Sequence, residues 1–146
     1  MLKQVYANAA GAALFLLAIS GTVASGDAMA RGADEAQPET VCNVLGTASR
    51  YVGTTVTIRG QAFNDGKDTL MSDVQCKGAV SLSISDSSSM KRDVSSFRRV
   101  VGGKGVHADA TVFGRFKATG DAAHPYTIDV YSVRNVNEIE AVAEGT

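Results

Sequence analysis

Residues 54–63 (TTVTIRGQAF) alternate between apolar and polar side chains, the period of a strand with one buried face. Val56, Ile58, Gly60 and Ala62 fall on one side, and Thr55, Thr57, Arg59, Gln61 and Phe63 on the other. Asn64-Asp65-Gly66-Lys67 then reads as a hairpin turn, because Asp-Gly accommodates positive φ. Residues 69–72 predict a short second strand, and the chain turns again around Gln75-Cys76-Lys77-Gly78. A third strand is predicted over 79–85, with Val80, Leu82 and Ile84 inward and serines outward. The period returns over 108–117, where Ala110, Val112 and Phe116 share a side. It returns once more over 126–136, with Tyr126, Ile128 and Val130 inward and a bulge near Ser132.

Between the third and fourth strands the apolar spacing becomes helical. Met90, Val94, Phe97 and Val101 fall within an arc of about 60° at roughly 100° per residue. Lys91, Arg92, Arg98 and Arg99 occupy the other side. Asp86 and the serines at 87–89 offer N-caps, and Gly102-Gly103 offers a stop. A shorter helix is predicted at 41–45, capped by Thr40, with Val41, Val44 and Leu45 on one face. Gly46 ends it, and Tyr51-Val52-Gly53 turns into the first strand.

Ahead of these elements lies a different pattern. Lys3 is followed by an uninterrupted apolar run over 9–19, then by Ser20-Gly21-Thr22 and by small residues at Ala24, Ala28 and Ala30. This is the order of a secretory signal, so residues 1–30 are expected to be a signal peptide cleaved after Ala24 or Ala30. The apolar run falls short of the roughly 20 residues a spanning helix needs, so no stable membrane span is expected after cleavage. Residues 31–39 read as a flexible linker, 40–137 as the domain, and 138–146 as a C-terminal tail.

Composition narrows the picture further. The 146 residues hold fourteen Lys and Arg against fifteen Asp and Glu, and the signal removes one of each, Lys3 and Asp27. The remaining near-neutral domain lacks the basic footprint of a general nucleic-acid binder. The two cysteines, Cys42 and Cys76, have neither a CxxC spacing nor a nearby His pair for zinc. In an exported domain they are expected to pair, closing a loop whose entropy contributes roughly 3–4 kcal/mol. Export and pairing agree on a periplasmic or secreted location.

The order is a short helix, three meandering strands, a helix and two strands. Five strands with a helix between the third and fourth is the order of a Greek-key barrel, the OB-fold. On Val41-Cys42-Asn43-Val44-Leu45, Tyr51-Val52-Gly53 leading into Val56-Thr57-Ile58-Arg59-Gly60, and Val112-Phe113-Gly114-Arg115-Phe116 with the following strand, the chain resembles small exported bacterial OB-fold-like domain proteins. The resemblance covers most of 40–137. It implies a mainly β, five-stranded OB-fold-like barrel and transfers no catalytic residue.

Candidate chemistry is sparse. His107 and Asp109 could serve as an acid–base pair, but no motif places a Ser or Cys nucleophile with them. Gly102-Gly103-Lys104-Gly105 lacks the order of a P-loop. Asp65, Asp68 and Asp73 recur along the first hairpin without the pattern of an EF-hand. No catalytic residue, cofactor or metal is therefore assigned. Two surfaces carry more weight. Arg59, Phe63, Phe113, Arg115 and Tyr131 are outward residues that would form one aromatic–basic ligand face if neighbouring strands bring them together. Lys91, Arg98 and Arg99 form the basic helix face. The leading expectation is a monomeric, non-enzymatic exported binding module for an envelope polymer or a polypeptide partner. The alternatives are an accessory or structural envelope protein that contacts a partner through the basic helix, and a small hydrolase using His107 and Asp109.

Overall fold

A computed structural model describes residues 37–139. The expected signal segment, most of the expected linker and the end of the expected tail lie outside the described residues. The strands are β1 (Glu39–Thr40), β2 (Thr55–Asn64), β3 (Thr69–Ser72), β4 (Ala79–Ser83), β5 (His107–Ala118) and β6 (Tyr126–Ile139). The helices are α1 (Val41–Gly46), α2 (Ala48–Tyr51), α3 (Asp86–Ser89) and α4 (Arg92–Val101).

Strand neighbours run β1-β2-β3-β4-β6-β5, and β5 also pairs with β2, so β2 to β6 close into a five-stranded barrel. Every pairing in the ring is antiparallel except β4 with β6. A parallel pair cannot be joined by a tight hairpin, and the chain reaches β6 from β4 only after α3, α4 and β5. This is the expected OB-fold-like barrel. β1, which spans the boundary between the segment read as linker and the domain, pairs in parallel with β2 at Ile58 and Arg59, outside the ring.

The alternating residues of β2 fill the barrel as the pattern predicts, with Val56, Ile58 and Ala62 buried. They meet Met71, Val80, Val112, Phe116, Ile128 and Val130 from the other strands, and Val94, Phe97 and Val101 from α4. Burying this apolar surface is the main favourable term in the fold, at about 25 cal/mol per Å². α1 begins with Thr40 Oγ1 accepting from the Asn43 amide at 3.1 Å, as the cap reading predicts. It buries Val41 and Val44. A Cys42–Cys76 disulfide ties α1 to the β3–β4 connection, with Cα atoms 5.7 Å apart.

Two expectations are corrected. The long helix is two helices, α3 and α4, broken by extended backbone at Lys91. Met90 consequently lies outside the apolar stripe and is 81% exposed. The break has a tertiary cause: Lys91 Nζ donates to the Tyr131 carbonyl at 2.8 Å, and Asp93 Oδ2 accepts from the Val133 amide at 2.8 Å. Serines are weak helix formers, so residues 87–89 do little to resist it. The last strand does not stop near 136, because β6 runs on to Ile139, which pairs with His107. The short β3 lies where the sequence predicts it and buries both Leu70 and Met71.

Candidate ligand surface

One candidate ligand surface is built by an irregularity in β6. Phe113 pairs with Ser132 and Gly114 with Val130, so one extra residue of β6, Tyr131, is accommodated between them. The bulge turns Tyr131 and Ser132 outward in succession and resets the alternation, so that Ile128, Val130 and Val133 all face the core. Tyr131 comes to lie edge-on to Phe113, with ring centroids 5.9 Å apart. Tyr131 and Phe113 remain 38% and 37% exposed, respectively.

The surroundings of this pair are polar. Beside Tyr131 is a cavity of about 220 Å³ lined by Ser83, Ser85, Ser88, Asp129 and Val130. Ser85 Oγ caps α3 by accepting from the Ser88 amide at 3.2 Å, which holds these hydroxyls at the cavity wall. The Asp129 carboxylate pairs with Lys117 Nζ at 2.6 Å. Arg115 lies opposite Asp129 in register, and its guanidinium donates to the Gly53 carbonyl at 3.4 Å. Asp93 of α4 holds β6 next to the bulge by accepting from the Val133 amide. The Val133 amide that it accepts from holds its carboxyl below the usual carboxylate range, outweighing the opposing effect of desolvation.

The structure brings together Phe113, Tyr131 and Arg115, with Lys91 tied to the Tyr131 backbone. It does not bring Phe63 to them. Phe63 pairs with His107 in register and stacks on its ring at 5.1 Å. Phe113 is opposite Thr57, six residues earlier on β2 and therefore about 20 Å away. Arg59 lies between, lining a separate groove of about 350 Å³ with Pro38, Gln61, Asp73, Val74 and Asp109. The expected single face is thus two aromatic pairs with a groove between them. His107 packs its ring on Phe63, while Asp109 opens into the Arg59 groove. Arg98 and Arg99 are exposed in the last turn of α4, where cations complement the helix dipole.

Sequence reasoning passed over Ser83, Ser85, Ser88 and Asp129. The outward serines of 79–85 and the two-residue spacing from Asp129 to Tyr131 are the signals that point to them. The chain matches no protein-family model, and no curated protein matches it.

Proposed function

We propose that this chain is a non-enzymatic, exported OB-fold-like binding module whose ligand is a hydroxyl-rich polymer of the cell envelope. The observation that carries this reading is the half-exposed Phe113/Tyr131 pair beside a cavity walled by three serines and a carboxylate. Aromatic rings receive the apolar faces of a sugar ring, while hydroxyls and a carboxylate hydrogen-bond its hydroxyl groups. A concave site with a few convergent polar groups is where a small unit of such a polymer would seat. The disulfide fits an oxidising compartment. Among the described residues no helix is long and apolar enough to cross a membrane.

A thermal-shift and calorimetric screen against envelope glycans, oligonucleotides and unstructured polypeptides tests this. Glycan binding that Phe113→Ala and Tyr131→Ala weaken at least about tenfold, and that Arg59→Ala leaves intact, supports it. Binding confined to polypeptides, or indifferent to both aromatics, overturns it. The second reading, docking through the basic helix, draws on the exposed Arg98 and Arg99, which form no ion pair with a described residue. Partner capture that survives Arg98→Glu with Arg99→Glu removes that reading.

A further inference from the structure

Side chains from two loops far apart in the chain meet, Asp65 and Asp68 from the β2–β3 turn and His124 from the β5–β6 loop. β4 lies between the strands that flank these loops, with Ser81 opposite both Leu70 of β3 and Thr127 of β6. Reciprocal bonds fasten β4 to the start of β6: Ser81 Oγ donates to the Tyr126 carbonyl, and Thr127 Oγ1 to the Ser81 carbonyl. Asp65, Asp68 and His124 each present a ligating atom, all within 4.8 Å of one another. Among the described residues no other three such side chains converge.

The donor set is mixed. Its imidazole comes from a loop 56 residues beyond Asp68 (124 − 68), so this is more than a local acidic turn. Both supports are constrained. Asp65 Oδ1 accepts from the Lys67 and Asp68 amides at 2.8 and 2.7 Å, which leaves its other oxygen available. The His124 carbonyl accepts from Thr119 Oγ1 at 2.6 Å, holding the loop against its own base.

We propose that Asp65, Asp68 and His124 form a binding site for a divalent transition-metal ion of the Zn²⁺ type, which clips the β2–β3 turn to the β5–β6 loop. Two carboxylates balance the charge of a divalent cation. An imidazole selects zinc and its neighbours over calcium, which takes six to eight oxygens. Three protein ligands leave a coordination position for water or an incoming group. The site is independent of the Phe113/Tyr131 surface and stands whether or not that surface binds a glycan.

The test uses the tag-free chain, stripped with chelator and titrated with ZnCl2 and separately with CaCl2 by calorimetry, with melting followed in parallel. Saturable one-to-one Zn²⁺ binding with a rise in Tm is expected, together with perturbation of the His124 ring resonances. His124→Ala and Asp68→Asn should each weaken binding at least about tenfold, since each removes a ligand. His107→Ala, which alters the other histidine, should leave it unchanged. These positions are exposed or half-buried, so the variants should fold, and circular dichroism checks that they do. Zn²⁺ binding equal in the wild type and His124→Ala, no Zn²⁺ binding by the wild type, or a preference for Ca²⁺ would each overturn the proposal.

Discussion

Strands β2 and β6 carry similar side chains and use them differently. β2 is a regular strand whose inward residues keep one phase from Val56 to Ala62, and its aromatic, Phe63, lies flat against His107 across an in-register pair. β6 is interrupted twice against β5, once at Tyr131 and again between Thr111 and Asp109, where Asn135 takes a positive φ of 52°. Asn tolerates that conformation better than most residues. The regular strand gives its aromatic a partner in the sheet. The bulged strand turns Tyr131 edge-on to Phe113 and leaves a cavity beside it. One unpaired residue therefore separates an aromatic that finishes the sheet from one that can meet a ligand.

The two regions are also anchored differently, and that difference can be broken. On the β2 side the disulfide fastens α1, whose Val41 packs over Gly60. Replacing Cys42 and Cys76 together by alanine should cost roughly 3–4 kcal/mol, read from the denaturant midpoint. On the β6 side the corresponding constraint is steric. A Cβ on Gly114 would overlap the Asp129 carbonyl oxygen and lie 2.7 Å from Ile128 Cγ2, so β5 approaches the bulge only as glycine. Gly114→Ala should destabilise by about 3 kcal/mol and disturb the Phe113/Tyr131 contact in NMR spectra, which the cysteine variant should leave in place.

Asp93→Ala removes the charged acceptor of the Val133 amide and should cost about 1–2 kcal/mol, with a further loss of order around Tyr131. The same bond predicts a pH dependence. Because Asp93 titrates below its ordinary value in the folded protein, its contribution is complete above the unfolded carboxylate range, near pH 4. It fades as pH falls through the lowered folded value. Wild type should therefore lose more stability between pH 5 and 3 than Asp93→Asn, whose amide oxygen accepts without titrating. Asp65, lowered chiefly by the Asp68 and Lys67 amides, contributes with the same sign in both proteins and cancels from the comparison.

The smallest effects on stability are the most informative about function. Phe113→Ala and Phe63→Ala each lose one ring contact, about 1 kcal/mol apiece. Only the first should weaken ligand binding; equal losses of affinity would restore a single continuous aromatic face.

Much of the barrel was legible along the chain. The strict alternation of 54–63, the Asp-Gly turn that places Gly66 at φ 99°, the Thr40 cap and the cysteine pair are local or nearly local signals. Even the bulge near Ser132 left a trace, because Val130 and Val133 cannot both face inward on a regular strand. The helix break at Lys91 left none. The spacing from Met90 to Val101 suits one helix, and only bonds to β6, some forty residues away, favour ending it.

By itself the sequence determined the five barrel strands, the inward set of β2, the order of the elements and the cysteine pair that joins them. Those follow from side-chain period and backbone preference, which act over a few residues. Tertiary structure alone decided which outward residues are neighbours. Barrel closure and strand stagger put Phe63 about 20 Å from Phe113, set Tyr131 against Phe113, and carried His124 to Asp65 and Asp68. A site is a statement about distances between segments far apart in the chain, and alternation within any one of them carries no such distance.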